Sequence, residues 1–224
     1  MTSAPRHTDL EVTVALRWAV VGAVLLLVGV VLGVVLEAGD TDLLDADQVW
    51  NTFVGSFAPG LLPLSMVMNV VGAGVIATYL VPLGGALLLV LVRRPWGALY
   101  FLTATAVSAG TVQVLKAIFG RVRPEEMLVI SDHGSFPSGH TANAATLAVV
   151  AVIVFPRLWV AIVGFGWVLL MGFSRTQVHA HWLTDTVGGA IIGAGVALLV
   201  AAAYGLPLQR EWTRPLGFAA ASAR

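Results

Sequence analysis

Residues 14–36 read VALRWAVVGAVLLLVGVVLGVVL, an apolar run whose single charge, Arg17, lies near its start. A helix of about 20 residues crosses the hydrocarbon core of a bilayer, so this run is long enough to span. It is too long for the apolar part of a signal peptide and lacks a clear small-residue cleavage site, so it is expected to be retained as an anchor. The rest of the chain has the same character. Of 224 residues, 58% are hydrophobic and 11% charged, with a mean hydropathy of +0.91. A soluble domain carries about 25% charged residues. The composition predicts an integral membrane protein with one domain over residues 1–224. With no cysteine in the chain, disulfide and thiolate chemistry are excluded.

The fold class expected is an all-α polytopic membrane helix bundle with six spans, at roughly 14–36, 68–92, 96–118, 139–155, 158–174 and 182–204. Between the first two, segment 37–67 opens acidic, with Glu37, Asp40, Asp42, Asp45 and Asp47. It then turns apolar but is interrupted by Gly55, Pro59, Gly60 and Pro63, the pattern of an interfacial amphipathic segment. The twelve Lys and Arg residues set the orientation. With both termini cytoplasmic, Arg6, Arg17, Arg93, Arg94, Arg157, Arg210, Arg214 and Arg224 fall inside. Lys116, Arg121, Arg123 and Arg175 fall outside. A span at 49–69 would carry Arg93, Arg94 and Arg157 to the outside and is rejected on that ground.

The outside cations stand in or beside three short segments. KAIFGRVRP occupies 116–124, PSGH occupies 137–140, and SRTQVHAHWLTD occupies 174–185. His181 and Asp185 are spaced i, i+4 and share a helix face. A carboxylate there can accept the Nδ1–H of His181 and leave Nε2 as a lone-pair nucleophile. Taken alone, the pair reads equally as a helix-start ion pair. Arg175 matches phosphate oxygens with a bidentate fork, and Lys116 and Arg123 supply further positive charge. Their alternative is a snorkelling lysine and boundary arginines, which their position on an otherwise arginine-poor face disfavours. Ser138 reads as an N-cap opening a helix, whose first N–H groups and dipole form an anion site. Gly139 would admit phosphate close to the backbone, and His140 is placed as a general acid. The tetrapeptide alone also fits a capped loop with a satisfied histidine.

His179 competes with His181 as nucleophile, but only His181 has an acid four residues on. His133 reads as a polar lining residue, Arg121 has no assigned role, and Glu125 and Glu126 read as a solvated loop. A metal at His179, His181 and Asp185 is disfavoured by the neighbouring cations.

Taken together, the three segments resemble the signature of the type 2 phosphatidic acid phosphatase family. These membrane lipid phosphate phosphatases are related in their site to vanadium haloperoxidases and glucose 6-phosphatase. The pattern Lys-x6-Arg-Pro, Pro-Ser-Gly-His and Ser-Arg-x5-His-x3-Asp is matched at every position, and residues 105–200 are covered well. His179 stands where many members carry a small residue. The resemblance implies that His181 forms a phosphohistidine, supported by Asp185. It implies that His140 protonates the leaving group and that Lys116, Arg123, Ser138, Gly139 and Arg175 hold the phosphate, with no cofactor or metal. The substrate implied is a lipid phosphate, met at the outer face of a cytoplasmic membrane. The composition resembles that of a high-GC bacterial chain, where a polyprenyl diphosphate leads. Phosphatidylglycerol phosphate and phosphatidic acid are alternatives, and a lipid-phosphate transporter or a phosphotransferase are rivals of other classes. No nucleic acid partner is expected, and the sequence leaves the oligomeric state open.

Overall fold

The computed structural model describes residues 7–39 and 41–212, with side chains from residue 12 onward. Arg6, Asp40, Arg214 and Arg224 of the charge pattern lie outside the described residues. Within them the structure is all helical: α1 (His7–Glu37), α2 (Thr41–Ser56), α3 (Leu62–Val71), α4 (Val81–Leu91), α5 (Pro95–Phe119), α6 (Gly139–Val154), α7 (Leu158–Gln177), α8 (Leu183–Ala203) and α9 (Gly205–Trp212).

Four of these are long and apolar enough to cross a bilayer: α1 from Val12, α5, α7 and α8. A fifth crossing arises only if Thr41–Ser56 and Pro59–Val71, bent by 82°, count as one. Six spans were expected, so length and composition support four or five. The difference has two causes. The expected span 68–92 is broken: α3 stops at Gly72, Gly74 takes a left-handed φ of 54°, and a π-helical turn at Ile76–Leu80 precedes α4 with its Pro82. The expected span 139–155 forms α6, which at 16 residues is short for a crossing.

The bundle is organised around α8, which packs chiefly against α1 and α6. Without a hydrophobic effect between helices in lipid, close backbone approach drives association, and small residues permit it. A Cβ on Gly22 of α1 would stand 2.8 Å from the carbonyl oxygen of Gly195 on α8. On the opposite side, a Cβ on Gly193 would collide with the backbone of Ala142 on α6, and one on Gly189 would press on the Ser138 carbonyl. The small-xxx-small pair Gly189 and Gly193 therefore packs within the bundle.

The two ends of the bundle are built differently. At one end, α9 closes the structure. Buried Glu211 accepts the N–H groups of Trp96 (2.9 Å) and Gly97 (3.0 Å), placing a carboxylate on the N-terminus of α5. Trp212 Nε1 donates to the Ile153 carbonyl at 2.7 Å, near the end of α6. The other end receives the C-termini of α5 and α7 and the N-termini of α6 and α8, and so gathers the three motifs.

Glu211→Gln is expected to lower stability by about 1–2 kcal/mol, the scale of a lost charged helix cap. The check is the thermal melting curve in detergent, with activity retained below the transition.

Candidate active site

The local sequence sets each group in place. Gly120, with φ of 56°, ends α5 as a left-handed cap and donates to the Lys116 carbonyl at 2.9 Å. This leaves Lys116 on the last turn of α5, buried, with Nζ donating to the Gly134 carbonyl (2.7 Å) and to Asp132 Oδ1 (3.3 Å). Gly134 itself needs its φ of 74° to present that carbonyl inward. Arg123 follows in the loop. Its Nη2 donates to Asp132 Oδ1 (2.7 Å) and to the Gly134 carbonyl (2.8 Å), and its Nη1 donates to the Ala180 carbonyl.

Arg123 Nη1 also stands 3.2 Å from His181 Nε2. A guanidinium can only donate, so Nε2 is the acceptor and the ring proton belongs on Nδ1. That is the tautomer a nucleophilic Nε2 requires. His181 is 3% exposed. Burial, with Arg123 and Lys116 adding to it and Asp185 opposing, holds its pKa down at about 4. The expected bond from Nδ1 to Asp185 is longer than a hydrogen bond, at 3.6 Å to Oδ2, and Nδ1 has no other partner. The reason is competition. Asp185 Oδ2 already accepts the Ser135 hydroxyl and the Trp182 N–H (2.9 Å), capping the helix it begins.

Arg175, on the last turn of α7, is fully buried. Its Nη1 donates to Asn69 Oδ1 at 2.7 Å, while Nε and Nη2 have no partner. Two unpaired guanidinium donors in a buried position form an anion site waiting for oxygens. Asn69 serves twice, because its backbone carbonyl stands 3.1 Å from His140 Nε2. A carbonyl only accepts, so Nε2 of His140 carries a proton.

One cavity of about 780 Å³ lies beside these groups, with Arg123 and Arg175 outside its lining. Lys116, Gly139, His140 and His181 line its charged end with Asn69 and Asp132. Towards α4 and α5 the walls become apolar, with Tyr79, Leu83, Leu102 and Ala106. Ser138 departs from expectation. It holds the N-cap position with an extended backbone but makes no side-chain cap. It is buried, its N–H is spent on the Asp185 carbonyl (3.0 Å), and its hydroxyl accepts from Thr141 (3.2 Å). Its segment is drawn against α8, so it braces the site without lining the cavity.

His179 turns away from the cavity. It sits at a left-handed φ of 51° and meets Asn51 Oδ1 on α2 through Nδ1 at 2.7 Å. His133 and Glu125 are exposed, and Glu126 accepts from Asn51 at 3.4 Å.

Sequence reasoning missed Asp132 and Asn69 and left Arg121 without a role. Asp132 is half exposed, and its carboxylate pairs with two of the cations expected to hold phosphate. Burial raises its pKa, but Lys116 and Arg123 outweigh that and leave it below the ordinary carboxylate value. It occupies donors that a phosphate oxygen would use. The signal available was one of three acids, with Glu125 and Glu126, between the first two motifs. Asn69 was visible as a lone amide in an apolar segment.

Residues 97–206 match the PAP2 superfamily. The structure superimposes, with a TM-score of 0.72 and 26% identity, on a transmembrane PAP2-type phosphatidylglycerolphosphate phosphatase from Bacillus subtilis. That match covers 86% of this chain and 98% of the other. Lipid A 1-phosphatase of Rhizobium etli is 29% identical over 120 residues, 49% of this chain and 51% of that one. Phosphatidylglycerophosphatase B of Bacillus subtilis is 33% identical over 118 residues, 48% and 58% of the two chains. The chain thus spans about half the length of these curated relatives. Its fold is that of the PAP2-superfamily membrane lipid phosphatases.

Because Asp132 competes with phosphate for Lys116 and Arg123, Asp132→Asn should tighten inhibition by orthovanadate or inorganic phosphate. A shift of about five- to tenfold is the scale of one charge-assisted contact. Inhibition curves for variant and wild type measure it.

Proposed function

We propose that this chain, carrying the fold of the PAP2-superfamily membrane lipid phosphatases, hydrolyses the phosphate from a membrane lipid through a phosphohistidine. The observation that carries this reading is His181: buried, neutral, with its Nε2 lone pair directed at the Arg123 guanidinium beside the cavity. When phosphate replaces Asp132 on Arg123 and Lys116, Nε2 faces phosphorus. The N–P bond forms as the P–O bond to the lipid breaks, and the leaving oxygen takes its proton from His140. His140 then removes a proton from water, which attacks the phosphohistidine and frees inorganic phosphate and His181. The open Nε and Nη2 of Arg175, with Lys116, Arg123 and Gly139, stabilise charge on the equatorial oxygens. The residues form one domain over 1–224, with the catalytic core about 105–200.

The cavity supports a lipid substrate, since its charged end continues into apolar walls between α4 and α5. An acyl or prenyl chain entering there from the bilayer would leave its phosphate among the cations. The motif cations share one end of the bundle, away from Arg93 and Arg157, which favours an outer-face site in the cytoplasmic membrane with cytoplasmic termini. A polyprenyl diphosphate is the first substrate proposed. Phosphatidylglycerol phosphate is the second, favoured by the likeness to the Bacillus subtilis phosphatase.

Purified protein in detergent with EDTA is expected to release phosphate from one of these lipids. His181→Ala and His140→Ala should each reduce turnover by about a thousandfold or more while the protein stays folded. Full activity in His181→Ala would eliminate the nucleophile. Binding without phosphate release would indicate transport, and phosphate passed to an alcohol would indicate a phosphotransferase.

The pH profile carries a second expectation. The nucleophile must be neutral, and neutral His181 is lost only as pH falls through about 4. The acid limb of kcat/KM in the free enzyme therefore lies near 4, well below the ordinary histidine value of 6.5. An acid limb at 6.5 that vanishes in no His181 variant would assign it to another group.

A further inference from the structure

Arg121 lies outside the cavity, yet its guanidinium is held on three sides. Nη1 donates to Asp185 Oδ1 (2.6 Å) and Thr184 Oγ1 (2.8 Å), and Nη2 donates to Asp47 Oδ2 (2.7 Å). The Trp182 ring stands 5.8 Å from its central carbon. Asp47 comes from α2, the acidic segment assigned to the interface by sequence, and is 1% exposed. Its carboxylate accepts the Thr184 N–H (2.9 Å) and hydroxyl (2.5 Å) as well as Arg121. One arginine thus joins a carboxylate on α2 to the carboxylate that backs His181.

We propose that Arg121 and Asp47 are positioning residues for the reaction: together they fix Asp185 and leave a net negative charge behind the nucleophile. The inference rests on the phosphohistidine reading. Before attack His181 is uncharged, so Asp185 alone would be a buried anion without a counter-charge. Arg121 supplies the counter-charge and, through its fork, the direction of Oδ1. A single Arg–Asp pair is neutral, however, and offers little to a cation. When Nε2 bonds phosphorus, the imidazole becomes cationic, and that developing charge is what must be stabilised. Asp47 restores one negative charge to the group of Asp47, Arg121 and Asp185. It also ties the group to the first turn of α8, so Asp185 cannot follow Arg121 away from His181. The two residues act through Asp185, and their polar contacts go to Asp185, Thr184 and each other.

The test is steady-state kinetics on purified protein with whichever of polyprenyl diphosphate and phosphatidylglycerol phosphate wild type hydrolyses faster, in mixed micelles, alongside wild type and His181→Ala. Asp47→Asn and Arg121→Lys should each lower kcat by about 10- to 100-fold and leave KM within about twofold. Quenching in alkaline SDS, which preserves the acid-labile N–P bond, with 32P-labelled polyprenyl diphosphate should show slower phosphohistidine formation. Asp47→Glu, which returns the charge, should recover most of the kcat lost in Asp47→Asn. It also decides the matter if Asp47→Asn does not fold, because a folded Asp47→Glu must then turn over at close to the wild-type rate. Folded Asp47→Asn and Arg121→Lys with wild-type kcat, beside an inactive His181→Ala, would overturn the positioning role and leave the phosphohistidine reading standing. A loss confined to KM would overturn it too. An active His181→Ala would instead remove the reading on which it rests.

Discussion

Asp185 is a carboxylate with no solvent exposure, on the first turn of a helix in a membrane bundle. Such a charge persists only where cations and donors surround it, and its demand organises this end of the molecule. Ser135 comes to it from the loop before α6, Trp182 from the turn after α7, and Arg121 from the loop after α5. Its backbone carbonyl takes the N–H of Ser138. The loop after α5, the 135–138 stretch and the turn before α8 thus converge on one residue. His181 is held beside that convergence, 3.6 Å from Asp185.

The bilayer imposes a complementary rule on the rest. Charges collect at helix ends, and the middle of the bundle is held by close contact of small residues. Gly22 and Gly195 bring α1 onto α8, and Gly189 and Gly193 bring α6 onto its other side. Because α6 and α8 are so close, His140 and His181, on the first turn of one and just before the other, open onto the same cavity. Backbone packing in the hydrocarbon layer therefore controls the spacing of polar groups at the surface. Glu211 and Trp212 tie the opposite end, keeping α5 and α6 in register along their length.

Most of the polar cluster is paired within the chain. Arg123 and Lys116 rest on Asp132 and the Gly134 carbonyl, whereas Arg175 keeps two donors open. A phosphate can enter with one strong anchor ready and two more available by exchange. In the proposed reading this suits release of inorganic phosphate after each turnover, since a cradle of unopposed cations would retain it.

Much of this was legible in the chain itself. Apolar runs at 14–36 and 96–118 are set by the length of a helix across a bilayer, a one-dimensional property. Lys116, Arg123, His140, Arg175, His181 and Asp185 stand out in a chain with 11% charged residues, and the structure gathers them at one end of the bundle. Two of the expected spans lack the length of a plain crossing, one where Gly72, Gly74 and Pro82 interrupt the helix and one where α6 is short. Hydropathy counts apolar residues but does not register where the backbone turns. The contacts between distant segments were decided only by the tertiary structure. Asp47 looked like one acid in a solvated acidic stretch, Arg121 like a spare cation, and Asn69 like a stray amide. Each acquires its place from a partner 74, 64 or 106 residues away. Sequence spacing determines which residues share a helix face. Only the packing of α2, α5, α7 and α8 determines which charge finds which counter-charge, because buried pairing depends on distances of a few ångströms between elements.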